Sequence, residues 1–350
     1  MRYILALIVS LTIVVPVFGR EVEELSLREA VQRAMAHSEQ FRRQGESARL
    51  NELRAIQSRY DLLMAYNPDM SLAEALRVMQ NDITRIFDIA DRYIQIDMLE
   101  HSLKSLYTAI QNAEADLIFY DTGLEIMERR LRIERVRHEN GLISDQDWQD
   151  FQREHHQQQL GRAALETTLE EAYEALARML HTARRTDGVR YSIVFGLDFT
   201  PLGGRTLGGF VEAAVAGNSH LRREARELEV RRFESQRSPL DTELQRQERR
   251  LQLDWAARDL RINQDAVRDT ATALYRELQN LEVNRTIQQE QLASLAAQLS
   301  LGSYMVEIGR MTQLDLDQLH LDHDRAQEAL RRTEAAHALT LVRLSNPNLL

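Results

Sequence analysis

Apolar and aromatic residues recur at alternating steps of four and three along one stretch of the chain. The positions are Leu99, Leu103, Leu106, Ile110, Ala113, Leu117, Tyr120, Leu124, Met127 and Leu131. This spacing is typical of a coiled-coil seam, whereas a strand would alternate every two residues. No proline occurs between Asp82 and Glu139, so the pattern predicts one long helix over about that range. At 1.5 Å per residue it spans on the order of 85 Å and must bury its seam against other long helices.

Shorter helices are predicted before the long one. Ser26 and Glu29 have the spacing of a capping box, which predicts a helix starting there, bending near His37-Ser38 and reaching about Met64. Ser71 is predicted to start a separate short helix that ends before the long one begins.

A sharp turn is predicted where the long helix ends. Asn140-Gly141 is a typical helix C-terminus, and Ser144 is placed to cap a following helix from about Asp145 to Leu180. A turn this short makes the two helices an antiparallel hairpin.

The second half of the chain repeats the first. Thr206-Leu207 and the residues after it match Ser26-Leu27 and its successors in the same order, so a second helical unit is predicted. Its long helix is expected to be capped by Asp241, with a seam at Leu253, Leu260, Val267, Leu274 and Leu281. Gln264, Arg285 and Gln288 interrupt that seam; for Arg285 and Gln288, a register-setting role, a lumen-facing role and a packing defect are all open.

Composition divides the chain into two repeats joined by a linker. The predicted domains are a first repeat over 20–185, a linker over 186–204 with a β-prone segment near Tyr191, and a second repeat over 205–350. The net charge of −10 gives no indication of a nucleic-acid partner, and the absence of cysteine excludes thiol chemistry. No catalytic or cofactor-binding constellation is found, so we do not expect an enzyme. His320 and His323 with a neighbouring carboxylate could bind Zn²⁺, but a solvated helix face is the favoured interpretation and no metal is expected.

The first residues resemble a secretory signal peptide. A basic start is followed by an apolar run from Ile4 to Val17, and small or medium residues precede Arg20. We therefore predict a cleaved signal over residues 1–19 and export across the inner membrane, with an uncleaved anchor as the alternative.

The ordered motifs resemble the outer membrane efflux protein family, the TolC-like exit ducts. Members begin each repeat with a Leu-Ser/Thr-Leu-x-x-Ala-Val/Ile segment, found at Leu25–Val31 and, more loosely, at Thr206–Val211. They turn at the far end of each hairpin with Gly-x-x-Ser/Thr-x-x-Asp. The matching residues are Gly141, Ser144 and Asp147, and Gly309, Thr312 and Asp315.

The resemblance implies an assembly and specific roles at the turns. In that family three protomers form an α-helical barrel in the periplasm, capped by a β-barrel in the outer membrane, and they work with an adaptor and an inner-membrane pump. By this resemblance the adaptor-contacting tips are Gly141, Leu142, Ser144, Gly309, Arg310 and Thr312. Asp147 and Asp315 would form anionic rings at the constriction. Helix capping alone also accounts for these residue types.

The sequence departs from the family where the membrane strands belong. A crossing strand needs about 9–11 alternating residues, and neither Tyr60–Asn81 nor Arg237–Gln247 has that pattern. The predicted fold class is therefore all-α, with duplicated long antiparallel coiled-coil hairpins and little or no β-barrel. Two functions remain open: a TolC-like duct component at the periplasmic face of the outer membrane, with strands possibly supplied by a separate β-barrel chain, or a non-conducting scaffold of the cell envelope.

Overall fold

The computed structural model describes four stretches of the chain: residues 22–64, 72–180, 190–237 and 242–350. The predicted signal peptide, residues 1–19, lies outside them. Eight α-helices and two short strands occupy the described residues. The helices are α1 (Leu27–His37), α2 (Glu39–Met64), α3 (Leu72–Glu139), α4 (Asp145–Leu180), α5 (Leu207–Gly217), α6 (Ser219–Arg237), α7 (Glu243–Glu307) and α8 (Gln313–Ser345). The strands are β1 (Val22–Ser26) and β2 (Arg190–Val194), and a 3-10 turn, Pro347–Leu349, follows α8.

The two halves have the same order of helices, with a short helix, a bent continuation, a long helix and a returning helix in each. The bend predicted at Ser38 separates α1 from α2, and Asn218 separates α5 from α6 in the same way. The capping box predicted at Ser26 is present, since Ser26 accepts from the Glu29 backbone N–H and Glu29 accepts from the Ser26 N–H.

Two expectations about helix starts are wrong. The separate short helix at Ser71 is not seen, because α3 runs without interruption from Leu72 to Glu139 and no proline or glycine intervenes before Gly123. The cap of α7 is Thr242, whose hydroxyl accepts from the Gln245 backbone N–H at 3.3 Å, whereas the expected cap Asp241 lies outside the described residues.

The seam of the first hairpin forms its core. Leu103, Ile110 and Leu117, seven residues apart on α3, are buried in one cluster with Leu176 and Leu180 of α4. The second hairpin has a smaller cluster, in which Leu274 and Leu278 of α7 pack with Leu344 of α8. Burial of these seams supplies the main stabilisation of the long helices, because helix propensity contributes much less than packing of the apolar face.

The strands join the beginning of the chain to the segment between the repeats. β1 and β2 pair in parallel, with Val22 opposite Arg190 and Ser26 opposite Val194. The buried side chains of Leu25, Tyr191 and Ile193 add this small sheet to the core of the first hairpin.

Short connections link the helices before each long helix. Residues 65–71 separate α2 from α3, and residues 238–242 separate α6 from α7. The predicted all-α class with duplicated long hairpins is confirmed. Over the described residues no helix is both long and apolar enough to span a membrane.

Candidate functional site at the hairpin tips

The turns of the two hairpins lie at the same end of the protein. Helices α3 and α8 are antiparallel, as two contacts between them show. Asp97, early in α3, accepts a hydrogen bond from Asn346, just after α8. Arg129, late in α3, donates to Asp317 at the start of α8 at 2.6 Å. The end of α3 therefore lies beside the beginning of α8, and each of these points is next to a turn.

The first tip is a glycine-terminated helix end. Gly141 follows α3 with φ of +69°, a left-handed conformation that glycine adopts without the penalty a Cβ brings. The Leu142 N–H donates to the Arg137 carbonyl at 2.8 Å, and the Gly141 N–H donates to the His138 carbonyl. These bonds satisfy carbonyls that the end of α3 would otherwise leave unpaired.

The second tip has the same backbone geometry. Gly309 has φ of +70°, and the Arg310 N–H donates to the Met305 carbonyl at 2.8 Å. The glycines predicted as tip residues are therefore required by the backbone at both turns.

Each returning helix begins with a capping box that contains the predicted constriction carboxylate. Asp147 accepts from the Ser144 hydroxyl at 2.7 Å and from its backbone N–H at 3.2 Å. Asp315 accepts from Thr312 in the same way, at 2.7 and 3.4 Å. The hydrogen bonds from Ser144 lower the pKa of the Asp147 carboxyl below its ordinary value, so it is ionised near neutral pH.

All eight residues predicted as tip or constriction residues are exposed in the single chain. Leu142 is 68% exposed at the end of the first turn, and its counterpart in the second turn is the cation Arg310. The two tips therefore share one backbone shape but present different side chains to a partner.

An aromatic cluster at the first tip was not predicted from the sequence. The rings of His138 and Trp148 stack at 5.9 Å between centroids, and His138 Nε2 lies 2.7 Å from Asp145 Oδ1. These side chains close the base of the turn by joining α3 to α4. The equivalent positions at the second tip, 168 residues later, are Val306, Gln313 and Leu316.

Nothing in the described part of the chain groups three or more histidine or carboxylate side chains as a metal site would. The tips expose two backbone turns, one apolar and one cationic side chain, and the carboxylates of Asp147 and Asp315.

Comparison with known proteins gives a clear result at the level of fold. No family model and no curated protein matches the sequence. Solved structures do match. The outer membrane protein VceC from Vibrio cholerae has a TM-score of 0.63 at 12% identity, over 91% of this chain and 96% of that one. The Campylobacter jejuni CmeC outer membrane channel has a TM-score of 0.62 at 10% identity, over 92% and 85%. The Neisseria gonorrhoeae MtrE outer membrane channel, in its open state, has a TM-score of 0.59 at 12% identity, over 92% and 88%.

The chain has the fold of these outer membrane channel proteins. The resemblance found in the sequence motifs is confirmed as a likeness of fold that extends over nearly the whole described chain. The match covers 85–96% of the length of these three structures and over 90% of this chain, so it includes both hairpins.

Proposed function

We propose that this chain is a subunit of an oligomeric helical duct in the cell envelope, part of an export or efflux assembly. The observation that carries the proposal is a layer of side-by-side helices with two different free edges, each bearing exposed apolar residues. The shared fold with outer membrane channels supports it.

Four helices form this layer away from the tips, in the order α2, α3, α6, α7. Side-chain contacts cross it at one height: Asn51 to Asp88, Asp91 to Arg223, and Glu224 to Asn263. The outermost helices are therefore α2 on one side and α7 on the other.

Both edge helices carry exposed apolar side chains from about that height towards the end away from the tips. On α2 these are Leu50, Leu53, Ile56 and Tyr60. On α7 they are Leu244, Leu251, Trp255 and Ile262. Trp255 and Ile262 are 57% and 64% exposed, which is unusual for a row of residues at helical spacing in a protein that acts alone.

Two different edges favour a ring over a symmetric pair. A contact between the α2 edge of one copy and the α7 edge of the next is heterologous, and repeating it closes into a ring when the rotation per copy allows. From the family resemblance we expect three copies. The tips of all copies then lie at one end, where Gly141, Leu142, Ser144, Gly309, Arg310 and Thr312 are proposed to meet a periplasmic adaptor linked to an inner-membrane pump.

Asp147 and Asp315 are proposed to place ionised carboxylates around the mouth of that ring. In each aspartate, Oδ2 accepts the capping hydrogen bonds described above. The same carboxylate can therefore cap its helix and also contribute negative charge at the mouth of the ring. A ring of such groups disfavours anions and attracts cations.

Thiol cross-linking tests the ring, because the chain has no native cysteine. Leu53→Cys on α2 and Ile262→Cys on α7, combined in one chain and treated with a flexible bismaleimide, are expected to give covalent oligomers that stop at the ring size. Within one chain α3 and α6 separate the two positions, so each cross-link must join two copies.

The single variants and one control pair decide the interpretation. With a heterologous contact, a chain carrying either cysteine alone is expected to give no covalent oligomer. Leu53→Cys combined with Ile133→Cys, an exposed position on α3, is also expected to give none. A monomer in the double variant, with mass photometry of the signal-free chain showing only monomer at micromolar concentration, refutes the duct. An unlimited ladder of sizes indicates a filament and refutes the closed ring.

A further inference from the structure

A polar cluster in the second hairpin holds the segment that crosses between the repeats. The ring of Phe199, on that segment, packs against the His337 ring of α8 at 4.6 Å between centroids. Arg285 of α7 also lies over the Phe199 ring, with its guanidinium carbon 4.0 Å from the ring centroid, and donates to Glu334 at 2.7 Å. Phe199 therefore contacts both a histidine and an arginine.

The same cluster binds the backbone of the crossover. The Leu202 N–H donates to Glu282 Oε1 of α7 at 2.6 Å, and the Leu202 side chain is buried in the core of the second hairpin. Glu282 is thus shared between the crossover backbone and the neighbouring His337, whose Nε2 lies 3.5 Å from the same oxygen.

His337 is fully buried and lacks hydrogen bonds. Its exposed fraction is 0%, and within the described residues neither ring nitrogen has a hydrogen-bond partner. A neutral imidazole tolerates this site because one face packs on an aromatic ring. A charged imidazolium is disfavoured, because burial removes its hydration and the carboxylate oxygen beside it, Glu282 Oε1, already accepts from the Leu202 N–H.

The first hairpin has no such cluster at the equivalent places. The positions 168 residues earlier than Arg285 and His337 are Leu117 and Leu169, both buried and apolar. The titratable group is therefore not a requirement of a hairpin seam, because the other seam packs without one.

We propose that His337 makes the attachment of the crossover segment, residues 196–205, sensitive to pH. With a neutral imidazole the segment is held on α7 and α8 by Phe199 and by the Leu202 N–H. Protonation either draws Glu282 away from Leu202 or drives the ring towards water and away from Phe199, and both movements release the segment.

The charges around the imidazole give the direction of the effect. Glu282 favours the protonated form and Arg285 disfavours it; both are on α7, while Glu334 on α8 is paired with Arg285. From α3 and α5, no described charged group acts on the ring. Burial outweighs Glu282 and lowers the pKa of His337 below its ordinary value of 6.5. Release is accordingly favoured by acid, as the pH falls below that ordinary value.

Hydrogen–deuterium exchange of the full chain between pH 7.5 and 5.0 tests the proposal. After correction for intrinsic exchange rates, amides of the 196–205 segment are expected to open up to about tenfold more per pH unit between 6.5 and the lowered pKa of His337, as one coupled proton requires. His337→Phe keeps an aromatic ring against Phe199 and is expected to remove this pH dependence.

Two further variants make the result specific. His320→Gln, at an exposed histidine of the same helix, should leave the pH response as in the wild type. Glu282→Gln retains an acceptor for the Leu202 N–H but removes the charge that favours protonation of the bound ring. The pKa of His337 in the attached state should fall further, so the rise in opening should continue to lower pH than in the wild type. If His337→Phe fails to fold, the Glu282→Gln variant alone tests the proposal.

Several results overturn the proposal. They are a wild-type segment whose corrected exchange does not change with pH, exchange that slows in acid, a pH response that persists in His337→Phe, or a rise in opening that ends at the same pH in Glu282→Gln as in the wild type.

Discussion

Replacing Gly141 by alanine measures how strongly the first tip depends on its left-handed turn. A Cβ added at this position meets no atom within 4 Å, so no steric overlap contributes. The remaining cost is that of a left-handed backbone for an L-residue, about 1–2 kcal/mol. Alanine also restricts the unfolded chain, which offsets about 0.4–1 kcal/mol of that cost. The expected net destabilisation is about 0.5–1 kcal/mol, or about a two- to fivefold rise in the open fraction of the turn.

Amide exchange is the suitable assay, because it reports each tip separately in one molecule. The Leu142 N–H, bonded to the Arg137 carbonyl, should exchange about two- to fivefold faster in Gly141→Ala. Amides of the Gly309 turn should not change, which makes the second tip an internal control.

A second glycine-to-alanine substitution, in α2, is expected to have the opposite effect on stability. Gly45 lies inside α2, also with open space where a Cβ would lie, so Gly45→Ala should stabilise that helix by about 0.5–1 kcal/mol. If Gly141→Ala slowed exchange at its turn as Gly45→Ala does in α2, the left-handed turn would not be what fixes the tip.

Other substitutions test packing and capping. Gly217→Ala should destabilise the chain by about 1–3 kcal/mol in chemical denaturation, because its Cβ would lie 2.6 Å from Pro347 Cγ at the joint between α5 and the chain end. Leu278→Ala, at a fully buried seam position, should cost about 2–5 kcal/mol in the same assay. The pKa of Asp147 is lowered by Ser144, so its cap stabilises the start of α4 above the ordinary carboxyl pKa and loses this effect as acid protonates it. Asp147→Asn should therefore show faster exchange there at neutral pH and a weaker acid response.

The ends of the first hairpin follow from local sequence signals, and they were predicted accurately. α3 ends at Glu139 and α4 spans Asp145–Leu180, as expected from the glycine turn and the serine cap. These capping signals involve only residues within a few positions of the helix end, so they can be recognised from the local sequence. The start of α3 was missed because the ten residues before Asp82 hold no helix breaker, and amphipathic spacing alone does not mark a boundary.

Features that join distant parts of the chain were not predictable in the same way. The β-prone character near Tyr191 was evident, but its parallel pairing with Val22–Ser26 depends on how the first hairpin brings the two segments together. At the candidate site, the capping residues were recognised, whereas the contact between His138 and Trp148 forms only when the turn folds α4 back along α3. The free apolar edges of α2 and α7 likewise emerge only once the order of helices across the layer is known.

The interrupted seam of α7 shows where the second hairpin departs from the first. Each hairpin completes its core with part of the crossover: β2 supplies Tyr191 and Ile193 to the first, and the later residues supply Leu202 to the second. Phe199 contacts Arg285 and His337, at positions where the first seam has leucines. Arg285 is therefore a packing partner of the crossover, not a defect in the seam. The second hairpin thus differs from the first where it contacts the crossover, with ionisable side chains in place of leucines.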